Sequence, residues 1–295
     1  MAKHYQGNPS TTTTDAVFIP EVWSEAIYKY FERKVIFRQL VDDYSPLVAN
    51  GGDKIHIPEI GLISATAKSA GSDVSYDNTT ATETQLDIDQ HYYVAKLFED
   101  ILMVQSNYQL MDKYSAMMGE ALARQVDSYL WTTLQGLSNN MGLSADDTLT
   151  ASKFEDILAS MGNNGIDYMA GDVFMVVNPV LMADILNPSG GLAQFFIRND
   201  ASGDGSGLRT GNIGSLYGID VFMSNAISSG GTASTISGAI FHRSAVAYAM
   251  AEDIRIQSEY SIDALGTKMV ADTIYGAKLI DDSDNVKGIK FQNVA

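Results

Sequence analysis

Cysteine is absent from all 295 residues. That one absence removes disulfides, thiolate metal sites and cysteine nucleophiles together, and it fits a reducing compartment. Histidine is scarce too: His4, His56, His91 and His242 are the full set, and no two stand at the spacing of a helical metal pair. His56 and His91 are the two that a hairpin would bring face to face, and hydrogen-bonded or exposed rings explain them better than a metal site. No apolar run approaches the length that crosses a bilayer, so no membrane partner is expected. Residues 1–15, "MAKHYQGNPSTTTTD", hold no apolar signal core, and nothing there predicts export. Positive charge is the other shortage. With 19 Lys and Arg against 36 Asp and Glu, the net charge is −17, which excludes a surface that grips phosphate as a whole. The one basic cluster, Lys29, Arg33, Lys34 and Arg38, is interleaved with Glu21, Glu25 and Glu32 and reads as a solvated helix face.

Catalytic signatures are missing as well. There is no G-x-S-x-G elbow. "GDGSG" at Gly203–Gly207 lacks the Lys-Ser/Thr of a P-loop and the strand–loop–helix setting of a dinucleotide site. "DDSDN" has neither the spacing nor the closing Glu of a calcium loop. The prediction is no catalytic residue, no metal and no cofactor.

What the chain does contain is a clear order of elements. Residues 1 to 16 read as a polar, Thr-rich arm. "IPEVWSEAIYKYFERKV" follows as an amphipathic helix, with Pro20 in its first turn and Trp23, Ile27, Tyr30 and Phe31 as its stripe. The longest helical signal spans Asn107 to Leu137, capped by Ser106 or Asn107. Met111, Met118, Leu122, Val126, Leu130 and Leu134 recur on one face, and Gly119 is a point of weakness. At about 1.5 Å per residue this helix would be roughly 45 Å long. "DVFMVV" is a buried-type strand, closed by Asn178-Pro179 and followed by the helix "VLMADIL". "NDASGDGSGLRTGNIGSLYG" reads as a long surface loop, "IDVFMSN" and "GAIFH" as strands, and "RSAVAYAM" as a helical turn or two. "DIRIQSEYS" alternates as a strand, and "IYGAKLIDDSDNVKGIKF" as a hairpin turning at Asp282 to Asn285. The class is α+β, without an internal repeat.

One stretch stands apart. Ile63 to Glu83, "ISATAKSAGSDVSYDNTTATE", is almost wholly Ser, Thr, Ala, Gly and Asp. The segments flanking it alternate like strands, with Ile55 and Ile57 on one side and Leu86 and Ile88 on the other. The pattern predicts a long polar hairpin with little of its own to bury, and structureless loops of this length usually mean function or disorder.

This order, an arm, a long two-stranded loop, a long helix and a glycine-punctuated α+β region, resembles the major capsid proteins of tailed bacteriophages with the Hong Kong 97-type fold. "FMVVNPVLMADIL" looks like that family's strand, Asn/Asp-Pro turn and helix. "IGSLYGIDVFMSNAI" resembles its G-x-x-x-G-[IL]-x-V strand entry, and "AIFHRSAVAYAM" and "MVADTIYGAKLIDD" resemble strands that complete its sheet. The resemblance implies an N-terminal arm and first helix over 1–45, an extended loop over 46–100 and a peripheral domain with the spine helix over 101–144. An axial domain would cover 145–270, with C-terminal strands over 271–295 returning to the peripheral domain. It implies a chain that pairs with copies of itself, in hexamers and pentamers, to form an icosahedral shell in the virion, assembled in the host cytoplasm around DNA that it does not read by sequence. A portal protein is an implied partner. So is a separate scaffolding protein, because no long charged helical segment near the N-terminus stands in for one. The extended loop would lean on a neighbouring subunit through Lys68, Ser72, Asp73, Val74 and Tyr76. Such an arm cannot offset its ordering entropy alone, whereas many shallow contacts on another copy can.

Two other classes compete with this expectation: an encapsulin-type compartment shell enclosing cargo proteins, and a soluble hydrolase with unpaired carboxylates. Some relatives of the implied family cross-link their shells through isopeptide bonds. Lys68 and Asn285 are the conceivable pair here, but no complete cross-linking set is recognisable. Shells of this protein are therefore expected to come apart in denaturant into single chains on a gel. Covalent ladders that vanish in Lys68→Ala would overturn that expectation.

Overall fold

The computed structural model describes residues 35–49, 51–60, 65–74, 76, 81–101, 110–143, 149–163, 165–166, 168, 171–187, 192–193, 195–198, 212–227, 236–280 and 287–293. The first amphipathic helix, His4, the "GDGSG" segment, the helix cap at Ser106 or Asn107 and the turn at Asp282 to Asn285 lie outside the described residues.

Thirteen described strands fall into three sheets. The short β1 (Asp42–Asp43) runs parallel to β11 (Val246–Ser261), which pairs antiparallel with β12 (Gly266–Leu279), and β12 with β4 (Gln90–Glu99). A seven-stranded sheet has the order β5 (Asn139–Leu143), β13 (Gly288–Asn293), β10 (Ile236–His242), β6 (Val173–Val177), β9 (Ile219–Met223), β8 (Asn212–Leu216) and β7 (Phe196–Arg198). The third sheet is a lone hairpin of β2 (Lys54–Ile60) and β3 (Ala81–Asp87). The helices are α1 (Ser45–Val48), α2 (Leu110–Leu134), α3 (Ala151–Asn163) and α4 (Pro179–Leu186).

The stripe seen in the sequence is what holds α2 in place. Met118 and Leu122 are buried against Phe98, Met269 and Ala271 of β4 and β12. One turn further on, Val126, Leu130 and Leu134 enter a second core with Phe174 and Val176 of β6, Phe241 of β10 and Tyr248 of β11. With 25 residues, α2 is about 37 Å long, and it continues through Gly119. Every residue of β6 is buried because its sheet is covered on both faces, as continuous apolar strands require. Phe174 and Val176 face the α2 core, while Val173, Met175 and Val177 face a core closed by α3 and α4. Asn178 caps α4 as its Pro turn suggested, its side-chain oxygen accepting from the Leu181 N–H at 2.7 Å.

Several elements differ from the sequence expectation. "RSAVAYAM" is a three-residue 3-10 turn, Arg243–Ala245, and then the start of β11. All of Ala245 to Met250 is buried, so this stretch lacks the polar alternation that marks a half-exposed strand. The C-terminal strands do not form a hairpin: β12 belongs to the four-stranded sheet, whereas β13 pairs with β10 and β5. Ile289 and Phe291 fill the α3–α4 core, and that burial draws β13 to the other sheet. Residues 212–216 of the expected surface loop form β8, closed onto β9 at Tyr217-Gly218. Strand β5 and helix α3, with Phe154, Ile157 and Met161 at helical spacing, are additional to the sequence reading.

Strand β12 carries two glycines at points where another chain segment lies too close for a side chain. A Cβ on Gly266 would collide with the Phe98 carbonyl oxygen, and one on Gly276 with the Asp87 carbonyl oxygen and Ile88. Gly276→Ala should therefore destabilise the subunit by about 1–3 kcal/mol through overpacking, seen as a lower denaturant midpoint. An unchanged midpoint would mean that the backbone at 87–88 does not rest on β12.

Candidate inter-subunit surfaces

The β2–β3 hairpin is buried only at its root. Its register pairs Lys54 with Asp87, Ile55 with Leu86, and so on to Ile60 with Ala81. Ile55 and Leu86 point into a small core with Val48 of α1 and Ala247 and Ala249 of β11. Ile57, past that pair, is half-buried against the same core, and the hairpin is otherwise held by its own ladder and by two exposed side-chain pairs, one on either side of Ile55 and Leu86. Lys54 meets Asp87 at 3.4 Å, and His56 Nδ1 meets Glu83 at 3.3 Å. Exposed pairs of this kind are screened by water and add little to stability. The carboxyl of Asp87 is held below the usual carboxylate range, first by the Gln85 side-chain amide that donates to it.

At the distal end, residues 65–74 and 76 are all exposed. Ser69 to Ser72 form a turn in which the Ser72 N–H and Oγ both donate to the Ser69 carbonyl, at 3.3 and 2.8 Å, with Gly71 at φ +87°. The five residues predicted to contact a neighbour, Lys68, Ser72, Asp73, Val74 and Tyr76, thus lie on one exposed segment. Tyr76 is 95% exposed and Val74 58%, so the bulky apolar side chains of this segment are open to a neighbouring surface. Asn285 lies outside the described residues, so the Lys68–Asn285 pair is not placed.

His56 and His91 do not face one another. His91 stands on β4 and its Nε2 lies 3.2 Å from Oδ2 of Asp272 on β12. Asp272 is also held by Arg255 of β11, Nε to Oδ1 at 2.8 Å and Nη2 to Oδ2 at 2.9 Å. This bidentate fork, followed by His91, keeps the Asp272 carboxyl ionised below the ordinary range. Three strands are thereby cross-tied on the face of the sheet turned away from α2. His242 uses Nδ1 to accept from the Ser244 N–H and caps the 3-10 turn. Among the described residues no group of three His, Asp or Glu could hold a metal ion, and no helix is long and apolar enough to cross a membrane.

A second exposed surface has no counterpart in the sequence reading. Strand β11 is buried from Val246 to Met250; its ladder shifts register between Met250 and Arg255, and beyond that point it is largely exposed. The end of the β11–β12 hairpin carries Ile256, Tyr260, Ile262 and Leu265 in the open, Ile262 at 79%, and the neighbouring β4 adds Tyr93 and Leu97. Tyr260 donates to the Asp100 carboxylate at 2.7 Å, which ties this end to the chain leaving β4. In "DIRIQSEYSIDALG" the alternation marks a strand but not where burial stops: Ile254 still packs against the Phe98 core, whereas Ile256 is exposed.

A model of a family described as "Phage capsid protein" matches residues 97–287. The chain belongs to the phage capsid protein family. This capsid protein adopts the Hong Kong 97-type α+β fold. A structure titled "Mycobacterium phage Che8" is 25% identical, with a TM-score of 0.72, over 93% of this chain and 97% of that one. The capsid of Ralstonia phage GP4 matches at 12% identity and TM-score 0.72, over 94% and 95% of the two chains. That of cyanophage P-SCSP1u matches at 18% and 0.69, over 95% and 94%. No curated protein matches the chain. The capsid protein is a structural, self-associating component of the virion shell, and neither the compartment-shell nor the hydrolase alternative is favoured.

The Asp272 tie gives a measurable prediction. A carboxyl whose folded pKa is depressed contributes stability that is fully present above its unfolded value, near 3.9, and is lost as pH falls through the lower folded value. Asp272→Asn should cost about 1 kcal/mol at pH 7, since Arg255 and His91 are half-exposed. The gap to the parent should close only below about pH 4. Urea titrations across pH check this, and a gap that is absent at pH 7, or that closes well above pH 4, would overturn the assignment of the tie to the ionised Asp272 carboxylate.

Proposed function

We propose that this capsid protein is the repeating subunit of an icosahedral shell of pentamers and hexamers that encloses the double-stranded DNA of a tailed phage. The observation that carries this reading is the hairpin whose described side chains are buried only around Ile55, Ile57 and Leu86 near its root while Val74 and Tyr76 are exposed at its far end. An extended segment without its own core is a stable design only if another chain supplies the surface. Heterologous contacts repeated from copy to copy then close into rings and shells. Lys68, Ser72, Asp73, Val74 and Tyr76 are the residues proposed to lie on the neighbour.

The proposed division of labour follows the sequence: an arm over 1–45, the reaching loop over 46–100, and α2 and the axial sheet behind it as the wall of the shell. A net charge of −17 suits a container lined against tight phosphate contact, so DNA is held by enclosure rather than by base or backbone recognition. A separate scaffolding protein would set the shell's size, and a portal protein would occupy one vertex, with assembly in the host cytoplasm. The subunit performs no catalysis in this reading.

Ile60 and Ala81 are paired, so residues 61–80 can be replaced by a Gly-Ser turn of about two to five residues without opening the ladder. The shortened protein should keep the parent's circular dichroism and melt cooperatively close to the parent temperature. Sedimentation and electron microscopy should find it unable to close shells, with its scaffold or without. Normal shells from the shortened protein would show that the loop is not an assembly element, and loss of folding would show that it serves its own subunit.

A further inference from the structure

Among the described side chains Asp127 is the one acid in the buried stripe of α2, 2% exposed beside Val126, Leu130 and Trp131. A carboxylate in such a place is costly unless hydrogen bonds compensate it. Its Oδ1 accepts from two consecutive backbone amides far away in sequence, Ile36 N–H at 3.0 Å and Phe37 N–H at 2.7 Å. Those amides open the 3-10 turn Phe37–Gln39, whose preceding residue Ile36 offers no side-chain cap of its own. A residue 90 positions later therefore acts as the cap.

The capped turn begins a strut that ends at the hairpin root. Phe37 stacks on Trp131 of α2 with ring centroids 5.6 Å apart, and Leu40 and Val41 are buried in the same core. The chain then pairs with β11 through β1. The Tyr44 N–H donates to the Tyr248 carbonyl at 2.7 Å, and Ser45 Oγ accepts from the Met250 N–H at 3.0 Å. Helix α1 delivers Val48 to the cluster of Ile55 and Leu86. Between Asp127 and the root no described stretch of this strut is free of a fixed contact.

We propose that Asp127 is a positioning residue for shell assembly: by pinning residues 36 and 37 to α2 it sets, through this strut, the direction in which the β2–β3 hairpin leaves the subunit. The inference rests on the reading of that hairpin as the element that reaches a neighbour. A tip some twenty residues from its root magnifies a small change of angle at the root, so a subunit can stay folded while its arm misses the next copy.

The test compares Asp127→Ala and Asp127→Asn with the parent and with the loop-shortened protein, each at a temperature where melting shows it folded. Asparagine keeps a carbonyl oxygen that can accept both amides, whereas alanine keeps none. Asp127→Asn should form shells of normal diameter. Asp127→Ala should give misshapen or unclosed assemblies by electron microscopy. In hydrogen exchange, the Ile36 and Phe37 amides of the parent should be as protected as the middle of α2, and exchange roughly tenfold faster or more in Asp127→Ala. Normal shells in parental yield from Asp127→Ala overturn the proposal, and so does an Asp127→Asn protein as defective as the alanine variant. Should Asp127→Ala fail to fold, the parent's exchange decides: protected amides support the pin, and rapid exchange overturns it. If the loop-shortened protein assembles normally, the reading of the hairpin has failed; if it fails while Asp127→Ala assembles, only the role of Asp127 has failed.

Discussion

The stripe of Met118, Leu122, Val126, Leu130 and Leu134 along α2 closes two cores at once, one against β4 and β12 and the other against β6, β10 and β11. Neither sheet could bury that face without the helix, and the helix, with charge on its other sides, has nowhere else to put its apolar face. Because one rigid rod serves both cores, the two sheets are held at a fixed relation within the described unit. A further core on the opposite face of the seven-stranded sheet, closed by α3 and α4, is independent of α2, and the two cores together account for the continuous burial of β6.

Interior and contact surface are separated cleanly along single strands. On β11 the change comes at the ladder irregularity between Met250 and Arg255; before it side chains are buried, after it they are open. On β2 and β3 it comes just past Ile57 and Leu86. In both places strand pairing continues after hydrophobic burial has stopped, so main-chain hydrogen bonds alone extend the element outward. Exposed ladders of this sort are marginal in isolation. Their extension is reasonable only where another surface adds the missing contacts, which suits a subunit built for a shell. The excess of acidic side chains then opposes association everywhere except where apolar residues such as Tyr76, Ile262 and Leu265 gather.

The helix α2, strands β6, β9 and β10 and the polar hairpin were legible because each carries a pattern with one physical cause: 3.6-residue periodicity, an unbroken apolar run, or the absence of anything to bury. The start of β11 was not legible as a strand, since burial on both faces erases the alternation that distinguishes a strand from a helical turn. The partner of β13 was also hidden, because sequence adjacency favours a hairpin while the burial of Ile289 and Phe291 favours the distant sheet. Of the contact surfaces, the loop tip could be read from its composition. The open end of the β11–β12 hairpin could not, since nothing local tells an exposed Ile256 from a buried one. Asp127 looked like any helix acid; only the fold shows what its carboxylate receives.

The two glycines of β12 sit at either end of its pairing with β4, Gly266 opposite Glu99 and Gly276 next to Tyr275, which faces Gln90. At each, a foreign backbone lies where a side chain would be. The two glycines are therefore stops at either end of the β12–β4 pairing, the one at Gly266 set by β4's own backbone and the one at Gly276 by the segment that leads into β4; β4 spans ten residues, about 33 Å at 3.3 Å each. The stops fix how far apart the chain leaves the reaching hairpin and turns toward α2. Length can be gained or lost in the hairpin, or beyond residue 99, without disturbing that interval. An inserted residue inside β4 has no such outlet, because it must bulge from the ladder or drive the backbone into one of the stops. The reach of the arm is thus free to change without disturbing the subunit, while the spacing of its mounting is not.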